Sequence, residues 1–363
     1  MLIGFYIDEL NFRGIANSTF KYAHYNEKIL KNKSIIFYNK RNYRNKKEVK
    51  NIFANRFPTI GVKQFRDIET FNKKYNFNFI YVQKGGEIDN WKLENIKLLV
   101  HCIYPQSLSE VHGYSYAYVS EWQTKEFSNN KINNVPYIVE LKKTKKNLKK
   151  ELKISNEKKV FGCHGGSSSF DIQFVKNTVS DIVKKRKDIV FLFLNIDKFT
   201  NHSRVIFLKG TFDEIKKRKF LNTCDAMIYG RSLGESFGLA CAEFSFLNKK
   251  IISYKYNRHR NHIFNLNKND YIEYNNASKL NQIIVNFKKT KSKYKNKNKN
   301  YIYSSKLVMK KFEKIFFKKM NIKINLYDKV INFIGLIKVD IFYIKHKLYN
   351  HYYKILVQIN KLR

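Results

Sequence analysis

The feature that most limits how this chain can fold is the run Ile189–Leu194, IVFLFL, six apolar residues without a break. A strand with one wet face alternates polar and apolar side chains. An unbroken run has both faces covered, as in the interior of a parallel sheet with helices on each side. Leu2–Ile7 and Ala226–Tyr229 are runs of the same kind, and residues 34–38, 79–82, 98–104, 116–120, 160–163, Val205–Leu208 and Lys250–Tyr254 read as further strands. Helical stretches lie between them: residues 17–30, opened by Asn17-Ser18; 174–187, with Val175, Val179, Ile182 and Val183 on one side; 213–222; and 238–247. Strands that alternate with helices predict an α/β fold built on parallel sheets.

The alternation halts at a charged bridge, residues 142–158, and then restarts. Two α/β domains in series are therefore expected, over 1–145 and 146–300, followed by a basic helical tail over 301–363 in which 304–319 and 326–363 read as helices. The length of 363 residues suits two domains. Residues 291–300, KSKYKNKNKN, read as a low-complexity loop.

Composition removes several classes. Thirty Phe and 25 Tyr are too many aromatics for a disordered basic chain. The four cysteines, Cys102, Cys163, Cys224 and Cys241, form no C-x-x-C pair, so neither a zinc ribbon nor a redox pair is expected. The opening MLIGFYIDELNF carries Asp8 and Glu9 and no basic n-region, so a secretory leader is not expected there. No apolar run reaches the ~18 residues of a membrane span. The 71 Lys and Arg exceed the 29 Asp and Glu by 42. Such a charge suits nucleic acid or an anionic membrane. Lysine is spread along the chain without a recognised nucleic-acid motif, so a basic nucleic-acid-binding protein is the weaker alternative. Residues 281–363 hold 21 Lys and Arg against 3 acids, which reads either as a solvated basic tail or, more sharply, as contact with an anionic membrane face.

Chemistry concentrates in residues 224–243, CDAMIYGRSLGESFGLACAE. A strand runs into a glycine-containing loop and the loop into a helix. The first N–H groups of a helix lack internal partners, and the helix dipole places partial positive charge there, so this end suits a diphosphate. Gly238 allows close backbone approach. Glu235 and Glu243, about two helical turns apart, suit hydroxyl groups rather than phosphate. An anion pocket flanked by two acids describes a sugar nucleotide. By spacing alone the segment also reads as an ordinary strand–loop–helix turn with two solvent-facing glutamates.

Residues 235–243, ESFGLACAE, resemble the E-x7-E motif of family 4-type retaining glycosyltransferases of the GT-B fold. The flanks CDAMIYGR and LNKKIISY, the unit 161–194 and the segment Val119-Ser120-Glu121-Trp122 are similar as well, while nothing beyond about residue 320 is. The resemblance implies two Rossmann-like domains facing across a cleft, an acceptor-side first domain and a nucleotide-sugar-binding second one. It implies that Glu235 contacts the donor sugar and Glu243 the ribose hydroxyls. The turn Ser236, Phe237, Gly238 and Leu239 would present backbone N–H groups to the diphosphate. The glycine loop after the first strand of the second domain is Gly165-Gly166. There the family carries an Arg and a Lys; this sequence has His164 in the place that looks like the Arg, and no Lys follows in the loop. Arg231, nearest the motif, is the expected substitute, with Lys209 and Arg258 as others. In the first domain Gly14 corresponds to the family's glycine-rich loop, and His101 and His112 are the candidates for a histidine near the transferred sugar.

His259 and His262 in RHRNH lack accompanying acids or cysteines and read as a solvated basic loop. No Asp-x-Asp, G-x-G-x-x-G or P-loop occurs, so a metal-dependent transferase, a dinucleotide oxidoreductase and a nucleoside triphosphatase are poorly supported. The expected activity is transfer of a sugar from a UDP- or GDP-sugar to an acceptor hydroxyl, with retention and with no cofactor or metal. The acceptor is expected to be a glycan or a lipid-linked glycan, and the location cytoplasmic and peripheral to the inner face of a membrane through 301–363. The departure at His164 also leaves open a weak or inactive member of the fold that serves as an interaction module.

Overall fold

The computed structural model describes residues 1–264, 266–289 and 302–362. The loop expected over 291–300 lies outside the described residues. The described residues fall into two compact units, one drawn from 1–140 and 300–337, the other from 141–299 and 338–363.

The first unit holds a six-stranded parallel sheet: β1 (Leu2–Ile7), β2 (Lys33–Asn39), β3 (Thr59–Val62), β4 (Phe79–Lys84), β5 (Lys97–Cys102) and β6 (Ser115–Tyr118), in spatial order 3-2-1-4-5-6. Helix α1 (Gly14–Lys28) follows β1; α2 (Lys47–Ala54), α3 (Ile68–Tyr75), α4 (Glu121–Ser128) and, later in the chain, the helix Ser305–Phe316 also belong to this unit. Asn17-Ser18 does not start α1. The helix begins three residues earlier, at Gly14, with Arg13 as an N-cap that offers no side-chain bond. Ser120, in the V-S-E segment, does cap a helix: its hydroxyl accepts from the Gln123 N–H of α4.

The second unit repeats the plan. Its sheet comprises β7 (Lys159–His164), β8 (Ile189–Leu194), β9 (Val205–Leu208), β10 (Ala226–Tyr229), β12 (Lys250–Tyr254) and β14 (Tyr271–Tyr274), all parallel. The order is β14-β12-β10-β7-β8-β9. Counted within the unit and read from the other edge, that is again 3-2-1-4-5-6. Helices α5 (Gln173–Lys185), α6 (Glu214–Thr223), α7 (Leu239–Phe246), α8 (Asn261–Phe264) and α9 (Ala277–Val285) belong to it. A small parallel pair, β11 (Gly234–Glu235) with β13 (His259–Arg260), stands apart from the sheet. All six residues of β8 are buried, as the unbroken apolar run requires.

A long helix, Leu326–Leu362, contributes its first residues to the first unit and the remainder to the second. Among the described residues no helix is long and apolar enough to cross a membrane.

Candidate functional site

A doubly wound parallel sheet offers its binding crevice where the strand order reverses, beyond the carboxyl ends of the two strands that flank the reversal. In the second unit those strands are β7 and β10. β7 ends on His164 and β10 on Tyr229, and every residue picked out in the 224–243 segment follows from the second of them.

After β10 the chain turns twice through left-handed backbone. Gly234 has φ +71° and Gly238 φ +86°. A side chain at Gly234 would collide with the His259 carbonyl oxygen, and a Cβ at Gly238 would lie 2.8 Å from the His262 Cβ. Both glycines are therefore required by φ and by space. Gly238 is the N-cap of α7 and gives it no side-chain cap, and no acid stands in the first turn. In the same unit α6 and α9, which follow the edge strands β9 and β14, are capped by Asp213 and Asn276. The two helices after the flanking strands, α5 and α7, have no side-chain cap.

The two motif acids occupy different surroundings. Glu235 is partly exposed (24 %); its Oε1 accepts from the Tyr229 hydroxyl at 3.0 Å and from Arg231 Nη1 at 2.9 Å. Arg231 thus stands at the mouth of the turn, coupled to the acid four residues on. Glu243 is fully buried (0 %), and its Oε1 accepts from Lys217 Nζ at 2.9 Å while Oε2 lies 2.9 Å from His164 Nε2. The carboxylate expected at the ribose therefore faces inward, because a buried ammonium demands an equally buried counter-charge. His164 keeps 12 % of its side chain exposed beside this fully buried acid.

Gly165 and Gly166 form the turn after His164. Asn195, at φ +58° beyond the end of β8, donates from Nδ2 to the Gly165 carbonyl, and Ser169 Oγ donates to the Gly166 carbonyl at 2.7 Å. Ser236 is buried, with Oγ 3.3 Å from His259 Nδ1, and the Phe237 carbonyl accepts from Asn261 Nδ2 at 2.6 Å. Leu239 opens α7. Of the alternative cations, Lys209 is exposed after the edge strand β9, and Arg258 is held 2.7 Å from Asp340 of the long helix.

His259 and His262, expected in a solvated basic loop, are both buried. His262 Nε2 lies 2.9 Å from Ser253 Oγ, and its ring lies tilted against that of Tyr229, 4.7 Å between centres. Burial brings each pKa down to about 3, helped by Arg258 and Arg231 for His259 and by Arg260 and Arg231 for His262. They are neutral packing beneath the turn that carries Gly234 and Gly238. Lys217 is the other residue sequence reasoning missed. The signal for it was helical phase, since Lys217, Phe220 and Leu221 share the inward face of α6, but the neighbouring Lys216, Arg218 and Lys219 hid it.

The first-unit candidates scatter. His101 sits in the core of its unit with no exposed surface, Nδ1 2.6 Å from the Tyr81 hydroxyl and Nε2 3.3 Å from the Tyr118 carbonyl. Burial lowers its pKa to about 3, and it has no face left for a substrate. His112 is partly exposed, with Nδ1 2.6 Å from the Glu110 carbonyl and Nε2 3.3 Å from Lys84 Nζ. Lys84, the last residue of β4, is buried and paired with Asp89. Gly14 is exposed, and a Cβ there would meet nothing. Among the described residues no cluster of three His, Cys, Asp or Glu side chains could hold a metal.

Known structures share this architecture. A glycosyltransferase from Rickettsia africae superposes with a TM-score of 0.57 at 15 % identity, over 95 % of this chain and 98 % of that one. Anabaena HepE, solved with UDP-glucose, gives 0.58 at 10 % identity, over 94 % of this chain and 99 % of that one. The chain has the GT-B fold. A UDP-N-acetylglucosamine 2-epimerase has it as well, with a TM-score of 0.53 at 8 % identity over 88 % and 99 % of the two chains, so the fold alone does not name the reaction. No family model matches the chain, and no curated protein matches it.

Proposed function

We propose that this protein is a retaining glycosyltransferase that moves a sugar from a UDP- or GDP-sugar to an acceptor hydroxyl without a metal. The observation that carries the reading is the uncapped start of α7 at the strand-order reversal, with Arg231 and Glu235 at its edge. Transfer breaks the bond between the anomeric carbon and the diphosphate oxygen and joins that carbon to the acceptor oxygen, whose proton leaves with the diphosphate. Negative charge grows on the diphosphate as the bond breaks. The N–H groups of Gly238, Leu239 and Ala240 and the Arg231 guanidinium would meet that charge with no reorganisation. His164 and the turn Gly165-Gly166 would line the diphosphate from β7. Glu235 would accept hydroxyl hydrogen bonds from the sugar once Arg231 turns to phosphate. Glu243 works from beneath, as the counter-charge of Lys217 and a contact of His164.

The likeness to structures solved with UDP and UDP-glucose supports a nucleotide-sugar donor. The acceptor in this reading is a glycan or a lipid-linked glycan, reached at the inner face of a membrane with which 301–363 makes peripheral contact. Thermal-shift and calorimetric titration with UDP, GDP, UDP-sugars and GDP-sugars test it. One diphosphate should raise the melting temperature by mass action, and Arg231→Gln should weaken that ligand. If none of the nucleotides binds, the transferase reading fails. The Arg231–Glu235 pair, each partner already satisfied by the other, would then favour the non-catalytic interaction module.

A further inference from the structure

The long helix Leu326–Leu362 packs one side on the protein, and the side opposite is a continuous apolar stripe open to solvent. Buried positions include Asp328, Asn332, Val339 and His346. At 100° per residue these fall on one line of the helix. The exposed apolar residues fall on the line diametrically opposite: Val330, Phe333, Ile337, Ile341, Ile344 and Leu348, continuing through Ile355 to Ile359. They keep within an arc of about 80° while the helix advances by more than 40 Å at 1.5 Å per residue. Phe333 is 64 % and Leu348 66 % exposed, which no internal packing explains. Monomeric proteins rarely leave so long a contiguous apolar surface uncovered.

Charge selects what covers it. Lys329, Lys347 and Lys354 lie along one flank of the stripe, and Lys338 and Lys345 along the other, all exposed. The two acids of this helix are committed elsewhere: Asp328 is buried against Asn129 and Lys131, and Asp340 pairs with Arg258. An apolar line between two rows of lysine suits an anionic bilayer surface, where the stripe enters the acyl boundary and the lysines reach back to the headgroups. It suits a second copy of this chain poorly. A seam between copies would set lysine against lysine in a protein that already carries +42. Among the described residues no helix is long and apolar enough to cross a bilayer, so a bilayer surface would receive this one in its plane.

We infer that the Leu326–Leu362 helix is an in-plane membrane anchor that docks the protein on anionic lipid by inserting its apolar stripe. This rests on the peripheral-contact part of the proposed function and replaces a purely electrostatic tail with a defined inserted face. It does not depend on the sugar-transfer reading.

The test is sedimentation of the full chain with vesicles of phosphatidylcholine alone and of phosphatidylcholine with phosphatidylglycerol, at low and high salt. The unaltered chain should bind the anionic vesicles and largely ignore the neutral ones. The variant F333S/I337S/I341S/I344S/L348S should lose binding by more than about tenfold, with an unchanged melting temperature because every altered residue is exposed. The variant K329Q/K345Q/K347Q/K354Q should also bind anionic vesicles more weakly, by about tenfold or more. Wild-type binding that survives the serine variant and vanishes in high salt overturns the inserted stripe while leaving peripheral contact standing. No binding to either vesicle overturns both. A chain that instead self-associates without lipid, and does so only with the apolar stripe intact, assigns the face to a second copy and also overturns the inference. UDP titration of the serine variant should match that of the unaltered chain, which keeps the donor reading separate from this one.

Discussion

The two units share one strand order and differ in what they place where that order reverses. In the first unit the reversal lies between β1 and β4. The acids just beyond β1, Asp8 and Glu9, are surface groups held by amides and arginines: Asp8 accepts from Asn39 and Asn42, Glu9 from Asn11 and Arg44. Gly14 opens α1 with space around it. In the second unit the reversal lies between β7 and β10, and its polar groups are built inward. Glu243 and Lys217 form a buried pair with the partly covered His164 against it, two neutral histidines lie under the turn, and two glycines are locked by sterics. The same topology thus carries partly exposed acids held by surface amides and arginines in one unit, and a buried ion pair under sterically fixed glycines in the other.

The largest effect that could break this contrast is removal of the buried acid. Glu243→Ala strands the Lys217 ammonium in the core and should destabilise the second unit by about 3–5 kcal/mol. Replacing both partners, as K217M/E243L, should recover most of it. Both tryptophans, Trp91 and Trp122, belong to the first unit, so fluorescence-detected urea unfolding reports that unit, and amide hydrogen exchange of α6 and α7 reports the other. The fluorescence midpoint should stay in place; an equal shift in both would mean that the units do not respond separately.

Acid should separate the units next. A histidine whose folded pKa is about 3, against 6.5 in the open chain, stabilises the fold fully above pH 6.5. That stability declines as pH falls from 6.5 toward 3, because only the unfolded chain takes up the proton there. Each such group contributes a slope of about 1.4 kcal/mol per pH unit within that window. The first unit has His101. The second has His259 and His262, and burial lowers His346 as well. Between pH 6.5 and 5 the second unit should lose stability at least twice as steeply, measured by hydrogen exchange against tryptophan fluorescence.

The glycines sharpen the comparison further. Gly238→Ala forces a Cβ toward His262 at positive φ, a backbone cost of about 1–2 kcal/mol before any clash, and should abolish nucleotide binding in calorimetry. Arg231→Gln should weaken nucleotide binding about tenfold, or 1.4 kcal/mol, with little loss of stability because its ion pair is partly exposed. Gly14→Ala should do least, stabilising the first unit by about 0.4–1 kcal/mol by restricting the unfolded chain. A loss of transfer activity there would show that backbone approach at Gly14 matters after all.

Most of the fold was legible because interior parallel strands carry unbroken apolar runs, and β8 announces itself from six residues. The two strands that went unread, β3 and β14, are sheet edges with one fully buried residue each, Val62 and Tyr274, so their sequences TIGV and YIEY lack the run. The site was half legible. Glu235, Gly238 and Arg231 could be placed because a strand, a glycine turn and a helix start are local events. The direction in which Glu243 faces could not, since it depends on Lys217, 26 residues earlier in the chain. His259 and His262 were hidden by the arginines beside them: charge around a residue says nothing about burial when the neighbours point outward. His101, at a strand end, looked available, yet its ring turns toward Tyr22, Tyr81 and Phe316.

The buried cluster at Glu243 has a consequence for descent as well as for binding. One carboxylate ties α7 to α6 through Lys217 and lies against His164 at the tip of β7, so neither Lys217 nor Glu243 can be lost alone without leaving an orphan charge. Across related genomes, Lys217 and Glu243 should be inherited together or discarded together. Lineages that have let go of the lysine should have let go of the acid too.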